Sequence, residues 1–447
     1  MRDCLGRSAA QRGSQEPLSR RALIFIEGAG NMVRYIQGAQ RLGYYPIILT
    51  ANPGRYDYAA AGGIDIIRVD TGNLDALISE CSRLGLTHAI AGITGAQESF
   101  YATVGKLCQY FDLPGPNPIS IERCCDKFVQ RQLLAEAGVP MPAYRMATNG
   151  RDVEHFAVDI GFPVILKPAA GSGSMGVRLC RNVNELVEHT RYLLDGKHIW
   201  RSSPRILVEE YVQGPQYWSE IAGKEVIGIG TVDFGPPPHF VYREWTFPAP
   251  LNHGERERIT DISLSCLPAL GLGWGPTNVE LRWAKRGPVV IEVNPRISGT
   301  PTPQLIQLAY GIDLISEHIK LAAGEKWDLR RRHSQQNAIA RFLVPECDGS
   351  LDWIVGCNRA AAILGVADVK IYVEPKAPIV KKGDFRDCIG HVIAVSPKHG
   401  QTKAILQRAI DLIDFSIIPF PTVGGQSPAC ASADNPPLRG NVIGDKT

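Results

Sequence analysis

Short, continuous apolar runs alternate with helix-like stretches over the first part of the chain. The strand-length runs cover residues 22–27, 45–49, 64–69 and 87–93. Continuous apolar strands that alternate with helices are typical of an open parallel sheet with helices on both faces. We therefore predict an N-terminal open parallel α/β domain over residues 21–117, which ends at the turn Leu113–Pro116.

The pattern changes after residue 118. A helix is predicted over 119–137, with Asp126 and Lys127 inside it, because Gly138 and Pro140 form a helix stop. Strands with mostly short turns follow, which indicates a mixed or antiparallel sheet with helices on one side. These strands are predicted at 162–166, 177–180, 205–212, 217–222, 225–234, 240–247, 278–282 and 290–296. The helices between and after them are predicted at 182–194, 254–270, 301–310 and 313–323.

The same pattern divides the rest of the chain. Residues 118–345 form the predicted central region, with a small lobe at about 143–212, and residues 346–420 form a small C-terminal α+β lobe. The predicted fold class is therefore α/β and α+β. Residues 1–20 and 421–447 are rich in polar or small residues, and we expect both segments to be disordered.

The stretch from Phe162 to Val177 (FPVILKPAAGSGSMGV) joins an apolar strand, a lysine and a glycine-rich turn. Lys167 stands at the end of the strand. The turn consists of Gly171, Ser172, Gly173, Ser174, Met175 and Gly176. Glycine lets backbone N–H groups converge on one point, where they bind anions, and a lysine adds a point charge for phosphate oxygens. The stretch favours a phosphate-binding loop; a plain flexible hairpin is the alternative.

A second constellation lies on two strands with hairpin spacing, 278–282 (NVELR) and 290–296 (VIEVNPR). Within one register step Glu280 faces Glu292, and strand alternation places Asn294 and Arg296 on the same face as Glu292. Paired carboxylates repel unless a cation lies between them, and carboxylate and amide oxygens are ligands suited to Mg²⁺. The pattern predicts a metal site; ion-paired surface carboxylates are the alternative.

Two features of the N-terminal domain follow strands. Gly28-Ala29-Gly30 begins a dinucleotide-type motif, but position 33 is Val33, so a nicotinamide site is disfavoured. Glu98 follows the strand at 87–93, at the edge where open α/β sheets bind ligands. Glu98 is therefore either a substrate-binding carboxylate or an ordinary acidic residue at a helix start.

Composition removes several classes of function. The chain has 447 residues, of which 44% are hydrophobic and 21% charged, and a formal net charge of +3, so neither nucleic acid nor an anionic membrane is expected as a partner. No apolar run reaches the length of a membrane span. The 11 cysteines include no C-x-x-C pair, which favours a reducing compartment, and we expect a cytoplasmic protein.

Five motifs, in this order, resemble those of the ATP-grasp superfamily. They are Asp126-Lys127 before AGVPMP, FPVILKP with its GSGSMGV loop, VEEYVQGPQYWSE, NVELR and IEVNPR. The resemblance covers residues 22–418, and the chain is most similar to carboxylate–amine ligases of the L-amino-acid (dipeptide) ligase type. It implies the ATP-grasp architecture, with an N-terminal α/β domain, central ATP-binding lobes and a small C-terminal lobe.

The resemblance also implies roles for the matching residues. The catalytic residues are Lys167 and Arg296. The ligands of Mg²⁺, with Mn²⁺ as an alternative metal, are Glu280, Glu292 and Asn294. Substrate is bound by Glu98, Arg296 and Arg341. ATP is bound by Lys127, Lys167, Gly171, Ser172, Gly173, Ser174, Met175, Gly176, Glu209, Glu210, Tyr211, Val212 and Gln216, where Gln216 stands in place of a glutamate that many relatives carry.

These roles imply an ADP-forming ligase that joins an amino-acid carboxylate to an amine through an acyl phosphate. We expect small-molecule substrates and, as the default oligomer, a homodimer. One alternative is another ATP-grasp ligase or a carboxylase that acts on a carboxylate other than an amino acid. A second alternative is a catalytically silent ATP-binding regulatory protein.

Overall fold

The computed structural model describes residues 20–28, 31–56, 62–195, 205–299 and 301–421. The predicted terminal segments lie almost entirely outside these residues, as does the Ala29-Gly30 pair. Within them, the chain folds into four sheets with helices packed on their faces.

The first sheet is parallel and has the strand order β3-β2-β1-β4. Its strands are β1 (Arg21–Ile26), β2 (Tyr45–Thr50), β3 (Asp65–Arg68) and β4 (Ala89–Thr94), and its helices are α1 (Met32–Arg41), α2 (Leu74–Gly85) and α3 (Glu98–Tyr110). Residues 22–26 of β1 are fully buried, as expected for a central parallel strand covered on both faces. The predicted open parallel sheet is confirmed.

The single helix predicted over 119–137 is wrong. The chain forms α4 (Pro118–Cys125) and α5 (Lys127–Glu136), with Asp126 between them in an extended conformation. The Asp126 side chain accepts hydrogen bonds from the N–H groups of Phe128 and Val129 at 3.0 and 3.2 Å, which makes it the N-cap of α5. Capping by Asp126 therefore starts a new helix, although the helical sequence pattern is continuous across this position.

A four-stranded antiparallel sheet forms the small lobe, in the order β5-β8-β6-β7. Its elements are β5 (Tyr144–Ala147), α6 (Gly150–Ile160), β6 (Val164–Pro168), β7 (Arg178–Cys180), α7 (Val183–Asp195) and β8 (Ile206–Glu210). Apolar residues of α6 and α7 pack on one face of the sheet, so this lobe has a core of its own. The glycine-rich turn connects β6 to β7.

The central element is an eight-stranded antiparallel sheet with the order β13-β12-β9-β10-β11-β14-β18-β16. Its strands are β9 (Gln216–Ala222), β10 (Glu225–Phe234), β11 (Tyr242–Phe247), β12 (Pro276–Ala284), β13 (Gly287–Asn294), β14 (Asn337–Leu343), β16 (Val366–Ile371) and β18 (Gly390–Ser396). The helices between its strands are α8 (His253–Leu270), α9 (Thr302–Tyr310) and α10 (Leu314–Ala322). Two of its strands, β16 and β18, come from the segment predicted as the C-terminal lobe, so that segment continues the central sheet.

The C-terminal segment adds a three-stranded sheet with the order β17-β15-β19. Its strands are β15 (Gly349–Val355), β17 (Pro378–Ile379) and β19 (Asp414–Pro419), and its helices are α11 (Cys357–Ala361) and α12 (His399–Ile410). Within the described ranges, no helix is both long and apolar enough to cross a membrane.

Candidate active site

A cleft lies between the small lobe and the central sheet, and its empty space, open solvent included, is about 830 Å³. Fourteen of the residues predicted from sequence line it: Lys127, Lys167, Gly171, Ser172, Gly173, Ser174, Met175, Glu209, Glu210, Tyr211, Val212, Gln216, Glu280 and Glu292. Apolar side chains such as Ile165, Phe234 and Ile291 line the cleft as well. The cleft therefore combines an apolar part with a strongly charged part, as expected of a site for a nucleotide.

Lys167, at the end of β6, is held by a buried carboxylate. Its Nζ lies 2.6 Å from Glu209 Oε2, and Arg131 Nε lies 2.7 Å from Glu209 Oε1. Burial alone would raise the pKa of Glu209, but Arg131 and Lys167 outweigh it and hold the pKa below its usual value. Burial lowers the pKa of Lys167. The carboxylate thus orients Lys167 toward the cleft.

Arg131 was not predicted from sequence. It lies one helical turn after Lys127 on α5, so the two side chains project from the same face of that helix. Spacing of i and i+4 from a predicted nucleotide-binding lysine is the signal that could have identified it. Arg131 also donates a hydrogen bond to the carbonyl of Ile291 on β13, which links α5 to the central sheet.

Lys127 begins α5 and joins the glycine-rich loop to the carboxylate hairpin. Its Nζ lies 2.8 Å from Glu292 Oε1 and donates a hydrogen bond to the carbonyl of Gly171 at 2.5 Å. Burial is the largest effect and would lower the pKa of Lys127, but the carboxylates of Glu292 and Glu98 together outweigh it, so the pKa is raised. Three segments that are distant in sequence therefore meet at one ammonium group.

The predicted pairing of Glu280 with Glu292 across β12 and β13 is confirmed. Burial, and then the neighbouring Glu292, raise the pKa of Glu280 to about 7. Gln216 Nε2 donates a hydrogen bond to Glu280 Oε2 at 3.0 Å. Two carboxylates forced together in a buried site would be stabilised by a cation between them, so these side chains fit a hard metal ion.

Asn294 ends β13 and is 3% exposed. Its Nδ2 donates a long, 3.5 Å hydrogen bond to Asn278 Oδ1, which leaves its own Oδ1 available as a ligand. The described residues contain no group of three or more His, Cys, Asp or Glu side chains arranged to hold a metal. A metal at this site would therefore depend on two carboxylates, the amide and a bound phosphate.

Glu98 and Arg296, predicted separately, form an ion pair. Arg296 Nε lies 2.9 Å from Glu98 Oε2, although Glu98 begins α3 of the first sheet and Arg296 follows β13 of the central sheet. Burial would lower the pKa of Arg296, but Glu98 and Glu292 outweigh it and raise the pKa. Neither residue lines the cleft, but the charges of Glu292 and Glu280 act on Arg296, so the pair lies near the charged part of the cleft.

Arg341 lies apart from these residues. It pairs with Glu244 across β11 and β14, with Nη2 2.6 Å from Glu244 Oε2, and hydrogen bonds to Gln407 of α12. Its neighbour Phe342 contacts the ring of Tyr242, which lines the cleft. Since successive side chains of a strand point to opposite faces, Arg341 faces away from the cleft. Gly176, at the end of the loop, also lies outside the cleft lining, and its carbonyl lies 2.9 Å from His189 Nε2.

Two further groups were missed. Arg282 lines the cleft between the rings of Tyr211 and Phe240 and donates to Gln216 Oε1 at 3.0 Å. Glu220 lies beneath the loop that carries Arg296 and accepts a 2.6 Å hydrogen bond from Ser298 Oγ. Burial raises the pKa of Glu220 to about 7. The alternation of side chains along β12 and β9 predicts which face of the sheet Arg282 and Glu220 occupy. The sequence does not show which groups they contact there.

Two family models match the chain. The model of the carbamoyl-phosphate synthase L chain ATP binding domain matches residues 126–330, and that of the L-amino acid ligase C-terminal domain 2 matches residues 341–417. The uncharacterized protein y4rH of Sinorhizobium fredii is 60% identical over 402 residues, which cover 90% of this chain and 84% of y4rH. The chain belongs to the ATP-grasp superfamily. Within it, the matched domains place the chain in the carboxylate–amine ligase family, whose members are ADP-forming ligases.

Other proteins are similar to this chain in fold or in sequence. The L-amino acid ligase from Bacillus licheniformis aligns with a TM-score of 0.77 at 20% identity, over 90% of this chain and 99% of that one. Biotin carboxylase 1 of Populus trichocarpa is 27% identical over 69% of this chain, and carnosine synthase 1 of Gallus gallus is 30% identical over 49%. The chain spans 60% and 26% of the length of these two proteins.

Proposed function

We propose that this protein is an ATP-dependent ligase that forms an amide bond between an amino-acid carboxylate and an amine, through an acyl phosphate, with release of ADP and phosphate. The observation that carries the proposal is the Glu98–Arg296 ion pair, which lies near the cleft carboxylates Glu292 and Glu280, since their charges raise the pKa of Arg296. Arg296 offers an anion site for a carboxylate, and Glu98 beside it offers a site for an ammonium group. An amino acid carries both charges.

The proposed mechanism depends on how the site offsets the negative charge of its two substrates. ATP and a carboxylate are both anionic and repel each other. Lys127 and Lys167 would bind phosphate oxygens, and Arg296 would hold the attacking carboxylate and then offset the charge of the acyl phosphate. Mg²⁺, with Mn²⁺ as an alternative, would be held by Glu280, Glu292 and Asn294 and would neutralise the phosphate charge.

The glycine-rich loop would exclude water while the acyl phosphate exists. The amine then attacks the acyl carbon, and the bond from that carbon to phosphate breaks. Residues 171–175 of the loop line the cleft together with Lys127 and Lys167, and closure of such a loop protects reactive intermediates. We further propose small-molecule partners only, a homodimeric state and a cytoplasmic location.

A second candidate function is a ligase or carboxylase that acts on another carboxylate. The similarity to biotin carboxylase 1 of Populus trichocarpa over 69% of this chain favours it. A catalytically silent ATP-binding protein is less compatible with the molecule, since the two lysines and the carboxylate pair line one cleft and the charges of that pair raise the pKa of the nearby Arg296.

The test is release of ADP and phosphate from ATP and Mg²⁺ with paired amino acids, with products identified by mass spectrometry. We expect release that requires two amino acids and a product one water lighter than their sum. Glu292→Gln, which removes a proposed metal ligand at nearly constant shape, is the matched control and should be inactive. Release that requires bicarbonate or another carboxylate would select the second candidate, and ATP binding without turnover would contradict both.

A further inference from the structure

The C-terminal segment touches the glycine-rich loop through one aromatic residue. Phe385 begins a single 3₁₀ turn, Phe385–Asp387, between β17 and β18, and its side chain is 43% exposed. Its ring lies so close to Gly173 that a Cβ atom at position 173 would be 2.5 Å from Phe385 Cδ1. Its N–H also donates a hydrogen bond to the carbonyl of Gly173 at 3.3 Å.

The segment that carries Phe385 is held rigidly by two buried carboxylates. Asp387, 2% exposed, accepts hydrogen bonds from the N–H groups of Lys382 and Gly383 at 2.7 and 2.9 Å. Asp384, 1% exposed, caps the 3₁₀ turn by accepting from the N–H of Arg386 at 3.0 Å. The turn therefore keeps its shape without help from the Phe385 ring, and the ring is a fixed surface against which the loop can lie.

The loop itself is held by polar contacts at its two ends. Ser174 has a φ of 63°, a left-handed conformation that a serine adopts only under constraint. At one end, Gly171 is held by Lys127, an ammonium group proposed to bind phosphate instead. At the other end, the carbonyl of Gly176 lies 2.9 Å from His189 Nε2, within the small lobe. The middle of the loop is thus contacted from outside the small lobe by Phe385.

We propose that Phe385 is a positioning residue for the reaction, which holds Gly173, and with it the phosphate-binding loop, closed over the cleft. The proposal rests on the proposed function and extends it, because it gives the C-terminal segment a part in excluding water. Water that reached the acyl carbon would form a carbon–oxygen bond as the bond to phosphate broke. The free carboxylate would be restored, both protons of water would leave with the phosphate, and ATP would be hydrolysed without amide formation.

The first test is the number of ADP molecules released per amide formed, in the full-length protein with its best amino-acid pair. Phe385→Ala should raise this ratio by about threefold or more, since a weakened contact shifts the loop toward its open state. Phe420→Ala is the matched control, because Phe420 is 39% exposed and follows β19 in the three-stranded sheet. Phe385→Leu, which keeps an apolar side chain against Gly173, should restore most of the coupling.

The second test does not need the amino-acid substrates. Hydrogen exchange of the amides of residues 171–176 is measured with a non-hydrolysable ATP analogue and Mg²⁺. Phe385→Ala should exchange at least about threefold faster than wild type and Phe420→Ala should not. Unchanged exchange and an unchanged ADP-to-amide ratio in Phe385→Ala would overturn the proposal. Absence of amide formation by the wild type, with slow loop exchange that Phe385→Ala accelerates, would reject the proposed ligase chemistry and support the positioning role.

Discussion

Buried charges dominate the molecule at the scale of single residues. Lys127, Lys167, Glu209 and Asn294 are all less than 10% exposed, yet each has a polar partner. Glu280 differs, since within the described ranges its hydrogen-bond donor is an amide, Gln216, and the charge that acts on it most strongly is another carboxylate, Glu292. A buried carboxylate without a paired cation retains its proton to higher pH, and this makes metal binding and protonation competitors at Glu280.

We predict that Mg²⁺ affinity falls as the pH is lowered from 8 to 6. The pKa of Glu280 is about 7, so the carboxylate is ionised above that pH and protonated below it. Competition with one proton weakens binding by about tenfold per pH unit below the pKa. Titration calorimetry of Mg²⁺ in the presence of ADP measures the effect. Glu280→Gln should bind weakly at every pH; a wild-type affinity independent of pH would contradict the pKa assigned to Glu280.

At the scale of elements, two charged residues of the candidate site are the first residues of helices. Lys127 is the first residue of α5, because Asp126 caps that helix, and Glu98 is the first residue of α3. The i and i+4 spacing along α5 then aligns Arg131 with Lys127. Local sequence predicted one continuous helix over 119–137 and left the role of Glu98 open. The break before Lys127 depends on a cap that also pairs with Arg205, a residue 79 positions later.

We predict that Asp126→Ala destabilises the protein by about 1 kcal/mol, the usual contribution of an N-cap, and raises the KM for ATP. The expected cause is loss of the bonds to the N–H groups of Phe128 and Val129, which frees the turn that carries Lys127. Chemical denaturation and steady-state kinetics provide the two measurements. Asp126→Asn separates the causes, since it keeps the cap and loses the charge opposite Arg205. Equal stability of wild type and Asp126→Ala would exclude the capping role.

At the scale of the whole molecule, the first sheet and the central sheet share one hydrophobic core. Leu23 and Phe25 of β1 belong to the same cluster as Ile315 of α10 and Phe342 of β14, and α1 packs against α10. The N-terminal domain predicted as a separate unit is therefore fixed to the central sheet. This fixed arrangement is what allows Glu98 to meet Arg296.

We predict that Glu98→Ala raises the KM for the amino-acid substrate about tenfold more than the KM for ATP, because loss of one partner of a part-buried ion pair weakens binding of charged groups at that point. Steady-state kinetics with each substrate varied in turn make the comparison. Glu80→Ala is the matched control, because Glu80 forms a surface pair with Arg83 on α2. Equal increases in both KM values would indicate a structural role for Glu98.

Much of the site follows from local sequence. The turn between β6 and β7 and the pairing of Glu280 with Glu292 depend on residues close together in the chain, whose geometry is set by strand alternation and hairpin length. Arg341 shows the limit of that reasoning. It stands in β14, yet its side chain faces Glu244 and α12, because the face of a strand that meets a cleft depends on the strands beside it.

The sequence by itself determined the parallel strands of the first sheet, the hairpin of β12 and β13 and the chemical character of the cleft, because apolar periodicity, glycine turns and hairpin spacing act over a few residues. The tertiary structure decided which charges are paired. Arg131 meets Glu209 across 78 positions, Arg296 meets Glu98 across 198, and Phe385 meets Gly173 through the C-terminal segment. Such contacts require distant segments to pack into one core, and burial then gives each pair its strength, which no local pattern encodes.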